Sequence, residues 1–452
     1  MPSATSAETE PLTAPRMAGP YPGPKARALI ERLRAVEGSG PRTGAGVPLV
    51  VDRAVGATLI DPDGNAFVDL AGSFAAATIG HAHPEVVQAI REQAGRATHV
   101  SSASISEARV AFEEAIVGIA PAGLDRVLPG ISGADANDTA VRLARSLTGR
   151  RGLIAFSGGY FGRSGAVIGL NGRVTFRERV AMDPDAQFLP FPYAYRWPLG
   201  ARSDPGRDAL ALVRHAIEDP ASGVGRPAAI VVEPVQGNGG VVVPPGRFLE
   251  GLRELCDRHE VILIFDEIQA GFGRTGRTWA GEHWGVTPDL MTVGKGIGGG
   301  MAVSAVLGRA ASMSHWPAGT HTSTFLGNAV NLAAAVAAIG VFRRERLWER
   351  SARLGDALLD RLRSDLGAEP HVGEVRGLGL FVGIEIVEAR DSRAADGPRA
   401  ASIRDTAFQR GVVVGSAGAS DSILKLAPPL VIDEAQLDVA VDIVLGAIRE
   451  AR

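Results

Sequence analysis

Between residues 84 and 342 the chain alternates short, β-branched apolar runs with stretches of helical periodicity, the pattern of parallel α/β organisation. Three runs, Ala229–Val232, Val261–Phe265 and Leu290–Val293, are continuously apolar rather than alternating, and Leu153–Phe156 is a fourth. Strands of that kind are buried on both faces, as in a parallel sheet sandwiched by helices. Upstream, Lys25–Arg34 has helical spacing, and Ala57–Ile60 and Ala66–Leu70 flank Asp61-Pro-Asp-Gly-Asn65 as a hairpin. Beyond Arg343 the pattern predicts a helix to about Leu366, a strand near Gly379–Ile386, a helix from Ser402, a strand Gly411–Val414 and a last helix Glu434–Ala451. The expected organisation is α/β: a large domain over 84–342 with a mostly parallel central sheet, and a small α+β domain built from 25–83 and 343–452. Residues 1–24, rich in Pro, Ala, Ser and Thr, are expected to form a mobile or extended arm.

Composition narrows the partners more than the fold. The 452 residues carry 47 Lys plus Arg against 50 Asp plus Glu, a net charge of −3, so no bulk attraction to nucleic acid or an anionic membrane is expected. Aromatics make up only 5%, which also argues against a stacking platform for bases. The longest apolar run, Leu332–Phe342, is about half the ~20 residues needed to cross a bilayer. A single cysteine, Cys256, permits no intrachain disulfide and no cysteine-based metal centre, which points to a reducing, cytoplasmic setting. His81 and His83 have small neighbours and no partner cluster in sequence, so turn packing is preferred to metal binding there.

Ligands of parallel sheets sit beyond the carboxyl ends of the strands. The residues just past the apolar runs are Glu233, then Asp266 and Glu267, then Gly294 and Lys295, which gathers acids and one lysine at one sheet edge. The strand ending in Asp266-Glu267 could belong to a magnesium-dependent NTPase, but the chain has no Gly-x4-Gly-Lys-Ser/Thr loop. Gly294-Lys-Gly-Ile-Gly-Gly299 matches a dinucleotide-binding pattern, yet the next acid is Glu345, too far on to take a ribose. A lysine after a buried strand costs solvation energy unless its pKa falls or it is used covalently; the plain alternative is a snorkelling side chain. Glycines 294, 296, 298, 299 and 300 give it a backbone that a cofactor can approach. A carboxylate such as Asp266 could keep a pyridine nitrogen protonated, the electron sink of pyridoxal-phosphate (PLP) chemistry. Ser132-Gly-Ala-Asp-Ala-Asn-Asp138 runs into the helical pattern Ala140–Leu147 and offers either a phosphate cradle at a helix N-terminus or an ordinary cap by Ser132. Tyr160, on the Ser157-Gly-Gly-Tyr160 loop, could cover a flat ring or pack in the core.

Together these stretches resemble the class III aminotransferases, fold-type I PLP-dependent transferases, from about residue 50 to 447. The resemblance lies in Val231-Val-Glu-Pro-Val-Gln-Gly-Asn-Gly-Gly240, Phe265-Asp-Glu-Ile-Gln-Ala-Gly-Phe-Gly-Arg-Thr-Gly276, Pro288-Asp-Leu-Met-Thr-Val-Gly-Lys295, His321-Thr-Ser-Thr-Phe-Leu-Gly-Asn328 and Val375-Arg-Gly-Leu-Gly-Leu380. It implies that Lys295 is the Schiff-base lysine, that Asp266 pairs with the pyridine nitrogen and that Gln269 contacts the ring hydroxyl. Ser132, Gly133 and Ala134 would bind the phosphate, Tyr160 would stack on the ring and Glu233 would line the cofactor site. Thr324 would reach the phosphate of the neighbouring subunit, which implies a homodimer with shared active sites.

Three positions depart from the family pattern. Phe161 stands where His is common, Ala329 where Pro is common, and Lys425, in Ile423-Leu-Lys-Leu-Ala-Pro-Pro-Leu430, where the family places an arginine that binds substrate carboxylate or pairs with the residue equivalent to Glu233. Lysine keeps the charge and loses the planar fork, so bidentate grip of an α-carboxylate is not expected. Phe74, ahead of the small residues Ala75–Thr78, and Lys425, near Gly415–Ser420, are the candidate substrate contacts in a roomy site, one suited to a terminal amine or an amino sugar. The expected reaction is ping-pong transamination between an amine donor and a carbonyl acceptor; a racemase or epimerase is the alternative, because the 132–138 string and Gly411–Val414 are also similar to class III amino-acid epimerases.

Overall fold

A computed structural model describes residues 14–38, 48–177, 185–200 and 203–451. The first thirteen positions of the expected N-terminal arm lie outside the described residues. Its remainder is tied down: the Arg16 N–H donates to the Ala66 carbonyl and the Ala66 N–H to the Arg16 carbonyl, both at 2.8 Å, and Tyr21 is buried against Phe67 and Phe408.

The central sheet has seven strands, in the order Arg126–Gly130, Ser304–Gly308, Leu290–Val293, Ile262–Asp266, Ala229–Val232, Leu153–Phe156, Ala186–Leu189. The pairings from Leu290–Val293 outward to Ala186–Leu189 are parallel. Ser304–Gly308 runs antiparallel to both of its neighbours, and the apolar pattern alone did not distinguish it. The strands Leu153–Phe156, Ala229–Val232 and Leu290–Val293 are buried along their whole length, as continuous apolar runs require. On one face lies helix Gly133–Thr148, whose Ala136, Ala140, Val141, Leu143 and Ala144 pack on the sheet. It begins at Gly133, seven residues before the helical pattern read from the sequence, because Ser132 and Asp135 close a cap around its first turn. Helices Pro205–Glu218 and Phe248–His259 cover the strands elsewhere.

Both ends of the chain meet in a second, four-stranded sheet. Thr58–Ile60 and Ala66–Asp69 form the expected hairpin, Arg53–Val55 extends it to an antiparallel meander, and Val412–Val413 adds to it in parallel, Val412 opposite Val68. A third, antiparallel sheet contains Val372–Leu378, Phe381–Ile386, Ile423–Leu426 and Gly415–Ala417. The long helical stretch after Ala329 is two helices, Ala329–Arg344 and Leu347–Leu366, broken at Arg346, whose φ is 48°. Among the described residues no helix is long and apolar enough to cross a membrane.

Candidate active site

Parallel register brings the chemistry together. Val232 pairs with Phe265, so Glu233 stands beside Asp266; Asp266 pairs with Thr292, three residues short of Lys295. The Asp266 carboxylate is buried and fixed at both oxygens: Oδ1 accepts the Ile268 N–H at 2.9 Å and Oδ2 accepts from Asn137 Nδ2 at 2.7 Å. Asn137 is held in turn, its Oδ1 accepting from Thr292 Oγ1 at 2.7 Å. Glu233 is clamped by backbone, accepting the Tyr160 N–H and the Gly237 N–H, each at 2.9 Å. Burial raises the pKa of both carboxyls; for Asp266 the Asn137 and Ile268 hydrogen bonds and the positive Lys295 oppose it. Lys295 sits at φ 46°, uncommon for a side chain with a Cβ, and burial lowers its pKa against the pull of Asp266 and Glu233. Glu267, expected at the same edge, turns elsewhere: its carboxylate accepts the Ala280 and Gly281 N–H groups at 2.9 and 2.7 Å.

The helix Gly133–Thr148 points its positive end at this edge. Ser132 Oγ accepts the Asp135 N–H at 3.2 Å and the Ser132 carbonyl accepts the Ala136 N–H, which leaves the Gly133 and Ala134 N–H groups with no acceptor among the described residues. Ser132 therefore caps the helix, and the cap leaves two donors open. Gly162 (φ 116°) passes so close that a Cβ there would lie 2.5 Å from the Ala134 Cβ. Asn171 shapes the loop, accepting the Phe161 N–H at 2.8 Å and donating to the Gly162 carbonyl at 2.6 Å. Tyr160, just before, packs its ring edge-on to Phe176.

The region around Phe74 and Lys425 is built differently. Gly72, Ser73, Phe74 and Ala75 have φ of 56°, 48°, 60° and 64°, one turn of left-handed backbone that only glycine adopts freely. A Cβ on Gly72 would meet the Ala427 carbonyl at 2.2 Å, so glycine is required there. The turn projects Phe74 outward, 78% exposed, and its carbonyl accepts from Gln269 Nε2 at 3.2 Å. Lys425 is only 2% exposed, between Gly383 and Gly415 on the neighbouring strands. It makes no hydrogen bond or ion pair among the described residues, and burial together with Lys295 lowers its pKa to about 8. The ion pair with Glu233 that the family arginine offers is not formed by the lysine. Thr324 lies on an exposed turn beside the exposed Phe325, and Ser102 Oγ meets Thr322 Oγ1 at 2.9 Å on the same face.

His81 and His83 divide. His81 Nε2 sits 2.8 Å from Asp69 Oδ2, whereas His83, read as having no partner cluster, has the carboxylates of Glu85 and Glu345 within 4.8 Å. Arg344 already bonds both of those carboxylates. The sequence reading missed Asn137, Thr292 and Asn171. For Asn137 a signal existed, since it lies one helical turn after Gly133, on the same face.

The site fits PLP in charge and shape: two open N–H groups at a helix end for a phosphate, a buried acid with both oxygens oriented, and a desolvated lysine flanked by glycines. A family model for the class III aminotransferases matches residues 40–448. The chain is 37% identical over 396 residues to the acetylornithine aminotransferase of Methanothermobacter thermautotrophicus, covering 88% of this chain and 93% of that one. It is 32% identical over 447 residues to the alanine/serine racemase of Pyrococcus horikoshii, with 96% and 93% covered. Among solved structures, the (S)-enantioselective omega-transaminase of Thermomicrobium roseum superposes with a TM-score of 0.86 at 28% identity, over 94% of this chain and 99% of that one. The protein is a PLP-dependent enzyme of fold-type I. It belongs to the class III aminotransferase family.

Proposed function

We propose that the protein moves an amino group from an amine donor to a carbonyl acceptor in ping-pong order, with Lys295 as the residue that carries the cofactor and then moves the proton. The observation that carries this reading is the desolvated Lys295 set beside a buried acid whose two oxygens are both oriented. Bound here, PLP would supply a reactive aldehyde carbon for amines and a ring able to take up an electron pair from the amine-bearing carbon. Gly133 and Ala134 hold the phosphate with their open N–H groups. Asp266, braced by Asn137, holds the proton on the ring nitrogen, and Gln269 bonds the ring hydroxyl while it holds the Phe74 carbonyl. Tyr160 covers the ring. Burial keeps the Lys295 amine in reach of its uncharged, nucleophilic form, and once released it accepts and returns a proton at the substrate carbon.

The substrate proposed is a terminal amine or an amino sugar. Lys425 presents one ammonium with no fork, and the small residues of Ala75–Thr78 and Gly415–Ser420 suit a bulky substrate. Thr324 of a second copy completes the phosphate site, so a homodimer with shared sites is part of the proposal. So are a large domain over 84–342, a small one from 25–83 and 343–452, and a cytoplasmic location, where the buried Cys256 stays reduced. The test mixes cofactor-loaded protein separately with glutamate, alanine, a terminal diamine and an aminoglycoside. Loss of the visible cofactor band with release of a carbonyl product is expected for at least one; no change with any would sink transamination. Racemisation is the second reading, favoured by the racemase likeness over nearly the whole chain. Deuterium entering the amine-bearing carbon without net amine transfer would establish it.

A further inference from the structure

The Gln236–Val241 turn lies between the cofactor side of the site and the third sheet. On one side Gly237 donates its N–H to Glu233 at 2.9 Å, and a Cβ on Gly237 would fall 1.7 Å from Gln269 Oε1, so this backbone is pressed against two site residues. The turn closes on itself, with the Gly240 and Val241 N–H groups donating to the Gly237 carbonyl at 3.2 and 3.3 Å. On the other side the Gly240 carbonyl accepts two N–H groups from Arg376, Nε at 2.9 Å and Nη2 at 2.6 Å.

Arg376 is itself held. Its Nη2 lies 2.8 Å from Glu385 Oε2 and its Nη1 donates to Glu374 at 2.8 Å. Glu385, fully buried, also accepts from Arg196 Nε and Nη2 at 2.8 and 2.6 Å and from the Tyr193 hydroxyl. A guanidinium so surrounded has one orientation available. Glycines make the reach possible: a Cβ on Gly383 would stand 2.8 Å from the Gly240 carbonyl oxygen, and one on Gly240 (φ 126°) would stand 2.3 Å from Ile423 Cδ1.

We propose that Arg376, oriented by Glu385, is a positioning residue for the active site: by gripping the Gly240 carbonyl it fixes the turn that holds Glu233 through the Gly237 N–H and backs Gln269. The proposal rests on the site reading above, and through this grip the third sheet acts on the cofactor side. When the turn slackens, Glu233 loses an N–H donor and takes up a proton more readily. Its negative charge, which favours positive charge on the nearby lysine nitrogen, then fades.

Two variants test this in the full-length protein. Arg376→Lys keeps a charge for Glu385 but cannot give the Gly240 carbonyl two fixed donors. Gly383→Ala leaves every charged group in place and crowds the turn, the Gly240 carbonyl most closely and then Val241 Cβ at 3.2 Å. In the cofactor-free protein, the amides of residues 236–242 should exchange with deuterium roughly tenfold faster in both variants, while the large-sheet strands exchange as in the parent. In the loaded protein, the pH midpoint of the visible band should move down, and kcat should fall about tenfold with the amine KM changed less than about threefold. Parent-like exchange of 236–242 in Gly383→Ala overturns the clamp whether or not the chain takes PLP. So does a parent-like midpoint and kcat in both variants. A parent protein that never acquires a visible band sinks the reading of the site instead, and the exchange data then judge the clamp alone.

Discussion

The two halves of the active site are built to opposite standards. On the cofactor side each carboxylate oxygen of Asp266 and Glu233 has a named donor between 2.7 and 2.9 Å, and the helix end exposes two N–H groups and no others in its first turn. On the side that the proposed function gives to the substrate, the buried Lys425 makes no hydrogen bond or ion pair among the described residues, and the backbone that carries Phe74 is left-handed for four residues. A fully bonded half is preorganised for one ligand. On the proposed function, the less bonded, strained half is the one that meets the substrate.

The largest test of this contrast removes the cofactor side's central amine. Lys295→Ala should lower turnover by more than about a thousandfold, since both carriage of the cofactor and proton transfer are lost; retained turnover would end the contrast at once. Asp266→Ala should cost on the order of a hundredfold or more in kcat, measured with the donor that works best. Asn137→Ala, which strips a donor from Asp266 and an acceptor from Thr292, should destabilise the fold by about 1–3 kcal/mol in urea denaturation and lower kcat as well. A variant as stable as the parent would mean that the bracing is idle.

Lys425 sharpens the other half through pH. Its folded pKa, about 8, lies below the ordinary lysine value of 10.5. Between those values the unfolded chain binds the extra proton, so stability contributed by this residue rises with pH across that window and is lowest below it. Lys425→Met should therefore stabilise the cofactor-free protein at pH 7, with the gain shrinking toward pH 10. If the ammonium meets an anionic substrate group, the parent's KM for that substrate should climb above pH 8 while the variant's stays flat. A KM profile shared by both would remove Lys425 from substrate binding. The smallest effect is expected at Ser73, exposed at φ 48°: Ser73→Gly relieves left-handed strain but loosens the unfolded chain, for a net gain of about 1 kcal/mol or less. A clear fall in Tm would show that the turn is not strained.

How much of this could be read beforehand obeys the same division. Runs such as Ala229–Val232 announce a doubly covered sheet because burial on both faces leaves no room for polar residues, and the positions just past such a strand are then at the ligand edge. Glu233, Asp266 and Lys295 were legible for that reason. The antiparallel strand Ser304–Gly308 was not, since its direction depends on where the chain returns rather than on composition. Nor was the early start of helix Gly133–Thr148, where the glycine and Asp-rich first turn reads as loop until the Ser132 cap is considered. Glu267 shows the limit from the other direction: adjacent residues on a strand face opposite ways, so only one of two neighbouring acids could serve the site. Arg376 and Gly240 meet across a long sequence separation by tertiary packing alone, which no local pattern encodes.

The small sheet that unites both chain ends has a consequence for biosynthesis. Val412–Val413 is the parallel neighbour of Ala66–Asp69, and the Ala427 carbonyl fills the space that Gly72 leaves open. A nascent chain still lacking those late segments has its large sheet encoded but no mould for the left-handed turn. The left-handed turn at Gly72–Ala75 therefore cannot take its final shape before the segments around Val412 and Ala427 are in place.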